Sequence, residues 1–489
     1  MHAPILVRRS PKRAPALIRG EGSLTYVAKG PSPVRPLDLP KASKRAAAAP
    51  NLAGSSFVRG GPRIESLFTD AQVDAVVAQA KKQAKAAGVQ GIGSPSAKHS
   101  SGWLTAGPAL LTSWDAIDAG DCCEDTGYSA TVPPDADIAV GPDHIIAVVN
   151  TAFEIYDKEG NVLVPAVQFS NFFDGTPGCT AFVDFPPFGT FGATFDPDVV
   201  YDDKNDRFVI GIDGNGTDYC IAATRGSDPT GEWRRYGFPA DINGAFFDFP
   251  HMGIGEDAVF VGSNQFGGDL VYGFEGRVFA VNKKDLYRGK PLRVVTREVK
   301  PDGEPTLRLD GTPQPAQLQG HRQRSWPSKG GHYIMTEYFD GKVHSVYSWK
   351  DPFGADKLDL EGDVDLAAAS GVPCESFSCF PIPWPQAGSV EILAGNDYRG
   401  QETKYRNGNL WTAQTISCNP GGGTVNCIRW AQIDPKKVKP GDLDLSTFVL
   451  TASTRGVRQA GVFGSDGDYR TFPSLAVNHC DDMAIGYSV

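Results

Sequence analysis

The chain has 489 residues with 56 Gly and 37 Pro against 4 Met, a composition of short strands and frequent turns rather than long helices. Its formal net charge is −10 and its basic residues gather in the first fifty positions, which excludes a nucleic-acid partner gripped through its phosphates. No run of about 18 apolar residues occurs, so the sequence offers no membrane-spanning helix.

Residues 1–60 are rich in Arg, Lys, Ala and Pro without sustained apolar periodicity, and read as a disordered basic leader. The opening MHAPILVRRSPKRAPALIRG lacks the apolar middle of a secretory signal. Trimming such a leader is expected to leave the melting of the main domain unchanged. One helix is expected over 70–87: Thr69-Asp70-Ala71-Gln72 has capping-box spacing, Val73, Val76, Val77, Ala80, Ala84 and Ala87 form a stripe, and Gly88 stops it. A Gly-Ser-Pro-Lys linker follows over 89–101. The domain boundaries are therefore 1–100 for leader plus helix and 103–489 for the rest.

From Pro133 a sheet pattern recurs. Phe195 to Phe238 is its clearest copy, with strands at Val199–Tyr201, Arg207–Ile212, Tyr219–Thr224 and Arg234–Phe238 separated by Asp-, Asn- and Gly-rich turns. Four strands in one such unit make a propeller blade. Units open near Pro134, Asp196, Asp248, Trp326, Asn409 and Phe472. The expected fold is all-β, a six-bladed β-propeller with seven blades as the alternative. Only two strands remain after Phe472, so the last blade is incomplete unless strands from around Trp103 to Trp114 close the ring.

Nine cysteines occur, none in a zinc-like arrangement with His. Cys418 and Cys427 flank an Asn-Pro-Gly-Gly-Gly turn, and Cys374 and Cys379 share a Pro-bounded loop, so both pairs are disulfide candidates and the compartment is read as oxidising, extracellular or periplasmic. Eight phenylalanines crowd residues 169–195, read as a satellite core folded over a blade.

The order Pro133-Pro134-Asp135-Ala136-Asp137, Val140-Gly141-Pro142, Val149-Asn150-Thr151, Asp196-Pro197, Cys220-Ile221-Ala222, Phe249-Pro250 and Ile485-Gly486-Tyr487-Ser488 resembles a family of mostly uncharacterised, exported bacterial β-propellers. The resemblance covers about residues 115–489 and is weakest in the fourth and fifth units. It implies a bridge between Cys179 and Cys220, both part of the family pattern, tying the Phe-rich connection to the second blade. Ser227 to Trp233 is also similar to the Asp-box turn of the sialidase superfamily, a stabilising turn shared by unrelated propellers that carries no sialidase chemistry with it.

No Gly-x-Ser-x-Gly elbow, phosphate loop, HExxH or EF-hand loop is present. Asp213-Gly214-Asn215-Gly216-Thr217-Asp218 alternates oxygen ligands, which makes calcium the one cofactor the pattern admits, although a hairpin turn uses the same residues. The functional expectation is a binding or interaction module for extracellular glycan or protein; the alternative is a polysaccharide-active hydrolase or lyase working at the channel mouth. Candidate ligand-binding residues are those entering the inner strands, Asp196, Asp198, Asp248 and His251. The bland account of such an Asp is a hydrogen bond to the backbone of its own turn. Two carboxylates within hydrogen-bond reach in a deep central pocket favour the enzyme, and a flat apolar face favours the binder.

Overall fold

A computed structural model describes residues 18–20, 23–39, 112–118 and 134–489, apart from 186–188, 271–272, 302–307, 309, 328–330, 339–340, 375–378, 386–391, 394–398, 445, 448 and 465–467. The helix expected over 70–87 lies outside the described residues.

The architecture is a β-propeller with five blades, which corrects the expected six and the alternative of seven. Blade 1 runs through Asp137–Val140, His144–Val149, Ala152–Asp157 and Val162–Gln168. Blade 2 is Thr194–Asp202, Arg207–Gly214, Asp218–Thr224 and Trp233–Pro239. Blade 3 is Phe246–Ile254, Ala258–Phe266, Phe274–Asn282 and Leu292–Glu298. Blade 4 comprises Asp310–Pro315, His332–Tyr338, Val343–Lys350 and Lys357–Asp365. Blade 5 comprises Gly400–Arg406, Asn409–Cys418, Val425–Ile433 and Val457–Phe463. Each is an antiparallel meander. The sixth recurrence in the sequence becomes a two-stranded hairpin, Thr471–Val477 with Met483–Ser488. Its Leu475 and Val477 pack on Trp411 and Ala413 of blade 5. Of the six expected openings, those near Pro134, Asp196, Asp248 and Phe472 stand at first strands, whereas Trp326 and Asn409 stand at the second strands of blades 4 and 5, His332–Tyr338 and Asn409–Cys418.

The blades stack through apolar faces. Val209, Tyr219, Ile221, Phe238, Phe247, Phe279, Val346, Leu410 and Ile433 belong to one buried cluster spanning blades 2 to 5. Ile146, Phe153, Ile155, Ile210 and Trp233 form a second between blades 1 and 2. The Phe-rich connection joins that second cluster. Its short helix Phe169–Phe173 buries Phe169, Phe172 and Phe173 against Phe153 and Trp233. Cys179–Cys220 ties the same connection to blade 2, and Cys374–Cys379 and Cys418–Cys427 are also bonded. Cys480 is free and exposed.

Three short strands of the leader enter the sheets, and Ile18–Gly20 pairs with the first half of Ser23–Ala28. Ser23–Ala28 adds to the outer strand of blade 3, and Ser32–Val34 to that of blade 2. Tyr26 and Ala28 are buried while Val27 between them is exposed, the alternation of a half-covered strand. Six residues are too short a window to outweigh the surrounding Arg and Pro, so sequence pattern alone does not reveal this strand. Removing these strands uncovers the outer edges of two blades. Beside blade 5, Val449–Thr451 pairs with Asp442–Asp444 as a separate ribbon, and Val457–Phe463 takes the outer position of the blade.

Candidate functional site in the central channel

The inner strands of all five blades, and the hairpin, open with the same local distortion or a variant of it. Asp135, Asp196, Phe249, Thr312 and Phe472 have φ of 43°, 52°, 56°, 46° and 53°, a left-handed backbone costly for non-glycine residues. Pro follows in four of them and Ala136 in the first. The ladder slips at Phe195/Asp198, Asp248/His251, Gly311/Gln314, Gly400/Glu402 and Thr471/Ser474. Bulges of this kind re-aim side chains, and here they turn residues on both sides of the bulge toward the axis. Strain repeated around a ring is strain that the surrounding packing holds in place.

The result is a cavity of 430 Å³ along the axis, lined by residues from every blade and the hairpin. Blades 1 and 2 line one side with carboxyl groups in two tiers. In the upper tier Asp135 and Asp196 are hydrogen-bonded side chain to side chain. Asn150 holds both, its Nδ2 donating to Asp135 Oδ2 at 2.5 Å and its Oδ1 accepting from the Asp196 amide at 2.7 Å. Burial, and then the neighbouring Asp135, raise the Asp196 pKa well above the usual carboxylate range. Burial also pushes Asp135 up to about 6, while the hydrogen bonds from Asp196 and Asn150 pull the other way. The two carboxyl groups are therefore a coupled pair, both raised, with Asp196 shifted further than Asp135.

The lower tier repeats the arrangement with Asp137 and Asp198. Asp198 is raised well above the usual range by burial and then by Asp137, to which it donates. Asp137 is raised by burial and by Glu402, and lowered by Lys404. The Lys404 ammonium touches Glu402 and donates to Gln317 Oε1 at 2.6 Å, so one cation ties the lower tier to blades 4 and 5. Ser474 Oγ of the hairpin donates to Glu402 at 2.8 Å.

Of the four residues expected from sequence, Asp196, Asp198 and His251 line the cavity. Asp248 is buried away from it, near enough to raise the pKa of Asp135 and Asp213. The expected own-turn hydrogen bond is replaced by bonds across blade boundaries: Asp196 accepts from the Phe249 amide at 3.2 Å, Asp198 from the Met252 amide, and Asp137 from the Val199 amide at 2.9 Å. His251 is held neutral, its pKa lowered to about 3 by burial and then by Arg399 and Lys404, and its Nε2 has no hydrogen-bond partner among the described residues. Phe249 stands edge-on to His251 at 4.5 Å and carries the Arg399 guanidinium 4.0 Å from its ring centre.

Asp135, Asp137, Asn150, Glu402 and Lys404 were not singled out from sequence. A signal did exist for the first two, since Asp135-Ala136-Asp137 repeats the spacing of Asp196-Pro197-Asp198 at the next opening. The residues considered for calcium form the hairpin between the second and third strands of blade 2. Asn215 and Gly216 have φ of 59° and 68°, and Asp213 Oδ1 accepts from the Gly216 amide at 2.7 Å. Among the described residues no group of three or more His, Cys, Asp or Glu is arranged to hold a metal ion. No described helix is long and apolar enough to cross a membrane.

Comparison with known proteins finds no matching family model and no matching curated protein. Among solved structures the chain is similar in form to an engineered GH43 glycoside hydrolase displaying both endo-xylanase and exo-arabinofuranosidase activity, at 11% identity, TM-score 0.29, and coverage of 70% of this chain and 58% of that one. It is also similar to a GH43 endo-arabinanase from Bacillus licheniformis, at 12% identity, TM-score 0.26, and coverage of 65% and 96%. A GH43B protein of a Bacteroides ovatus xyloglucan locus matches at 14% identity, TM-score 0.26, and coverage of 68% and 56%. The chain thus spans little more than half the length of the first and third of these. Likeness at this level concerns the propeller form alone.

Proposed function

We propose that this protein is a glycan-active hydrolase whose reacting groups are the stacked aspartates on the blade 1 and blade 2 side of the channel. The observation that carries this reading is the pair of proton-sharing carboxyl couples facing one cavity. A carboxyl kept protonated beside one that accepts is the arrangement from which general acid and base are drawn. Asp196 is assigned as the acid that protonates the leaving oxygen, with Asp135 and Asn150 orienting it. Asp137, relieved of part of its burial penalty by Lys404, is assigned as the base that takes a proton from water. The three disulfides fit an oxidising, extracellular or periplasmic setting.

The competing reading is a glycan-binding module. It is favoured by the cross-blade hydrogen bonds, which give the same carboxylates a structural task. Product analysis on a polysaccharide panel, paired with calorimetric binding, separates the two. Hydrolysis by the wild type that falls at least about a hundredfold in Asp196→Asn and in Asp137→Asn supports the enzyme. The acid assignment has its own signature, because Asp196→Asn should recover activity on aryl glycosides with a good leaving group while Asp137→Asn does not. Binding without any product establishes the module instead.

A further inference from the structure

The cavity wall carries more acid than its cations answer. Asp135, Asp137, Asp196, Asp198 and Glu402 line it, and among the described lining residues Lys404 is the one cation. That cation is already engaged. Its ammonium touches Glu402, donates to Gln317 Oε1 at 2.6 Å and lowers the pKa of Asp137, so it serves the lower tier. The upper tier has no such partner: no described cation is in ion-pair contact with Asp135 or Asp196, and Arg399, which acts on both from a distance, is held over the Phe249 ring. The two tiers also differ in access. Asp198 is buried, whereas Asp135 and Asp196 are only half-buried, and Asp135 stands between the exposed Pro134 and Ala136. In the same cavity the Nε2 of His251 lacks a hydrogen-bond partner among the described residues. Buried polar atoms are normally satisfied, so a wall that leaves one open together with an unanswered acid pair is completed by a ligand.

A ligand that completes this wall brings positive charge, because an anion adds to the excess and a neutral group leaves the acid pair as it is. An ammonium is the fitting group, since it is all donor and no acceptor and meets a wall of acceptors without competing with them. We infer that the sugar seated in the channel is an amino sugar, and that the Asp135–Asp196 pair recognises its ammonium group. This inference rests on the glycan reading of the channel and adds the charge class of the ligand to it. The ammonium gives the upper tier the counter-charge that Lys404 gives the lower one. The pair offers it the charge left after one proton is shared, so recognition leaves that proton in place. Sugars that carry a carboxylate are turned away by the same field.

The test uses the full chain at roughly pH 6.5, where amines keep their proton. The probes are the fully deacetylated chitosan hexamer, cellohexaose, hexagalacturonate and hexamethylenediamine, with calorimetric affinity and melting temperature as readouts. Each ring of the chitosan hexamer differs from a ring of cellohexaose only by an ammonium in place of a hydroxyl. The chitosan hexamer should bind at least about tenfold more tightly than cellohexaose, and hexagalacturonate should not bind. That preference should shrink in Asp135→Asn and vanish when Asp196→Asn is added, with melting preserved. Cellohexaose that binds as well as the chitosan hexamer overturns the inference and leaves the glycan reading standing, as does a preference that survives in the double variant. Where the double variant melts early, Asp135→Asn decides: a smaller preference in a protein that melts normally supports the pair, and an unchanged one removes it. A wild type that binds none of the sugars, or that binds hexamethylenediamine as tightly as the chitosan hexamer, overturns both readings.

Discussion

Two buried groups of carboxylates in this propeller look alike in sequence and differ in everything that surrounds them. In blade 4, Asp310 and Asp363 are 1% and 0% exposed, yet Arg308 lies between them, donating to Asp310 at 2.8 Å and to Asp363 at 2.6 Å. Ser345 Oγ sits 2.9 Å from one and 2.7 Å from the other, Tyr347 donates to Asp310, and the Gly441 amide donates to Asp363 at 2.7 Å. Every charge there has a counter-charge or a donor. At the channel, no described cation is in ion-pair contact with Asp135 or Asp196, and the pair manages its charge by sharing a proton. The lesson is that burial alone does not mark a functional carboxylate. What marks it is burial left uncompensated at the wall of a cavity, because such a group is available to exchange its proton with a ligand.

The comparison can be broken most forcefully at Arg308. Arg308→Ala strands two buried carboxylates, and urea unfolding should show a loss of about 3–5 kcal/mol with a large fall in melting temperature. Asp196→Asn should do the opposite kind of damage. An amide fits the same hydrogen bonds, so melting should hold while hydrolysis drops by at least about a hundredfold, or about 3 kcal/mol of barrier. A melting temperature that collapses with Asp196→Asn would place the upper pair with the structural network of blade 4.

Acid–base behaviour gives a finer contrast. Asp135 titrates near 6 in the folded protein, above its unfolded value, so the folded state holds more protons across that interval. Stability from this group is complete at low pH and is lost as pH rises through about 6, on the order of 2 kcal/mol after allowing for its partial exposure. Chemical denaturation at several pH values should show a steeper decline in the wild type than in Asp135→Asn, where the other raised carboxyl groups remain. The smallest effect is expected at Asp198→Asn. The amide donates to Asp137 as the protonated carboxyl did and its oxygen still accepts from Met252, so stability should change by less than about 1 kcal/mol. A drop of many degrees there would show that Asp198 carries a charge in the folded state.

Much of the fold was legible because its signals are local. Val199–Tyr201, Arg207–Ile212 and Tyr219–Thr224 alternate, end in Asp, Asn and Gly, and became strands of blade 2 where expected. The turn residues fixed the hairpins, the Cys418 and Cys427 turn fixed a bridge, and Asp196, Asp198 and His251 were placed at the channel by following chain direction alone. Blade count was not legible, because a hairpin and a full blade begin with the same residues and only pairing partners tell them apart.

The sequence by itself determined that this is a sheet protein of repeated four-stranded units, stapled by cysteines, whose inner strands open on acidic, Pro-bounded bends. Those properties follow from backbone preference and short-range spacing, and neither needs a neighbour to act. Tertiary structure alone decided which acids meet: Asp135 lies 61 positions from Asp196 and Asp137 the same distance from Asp198, and only the stacking of blade 1 on blade 2 turns two turn-like aspartates into a proton-sharing pair. It also decided that Lys404 reaches the lower tier. A ring closes through contacts hundreds of residues apart, and the charge state of a buried group depends on what the ring places beside it.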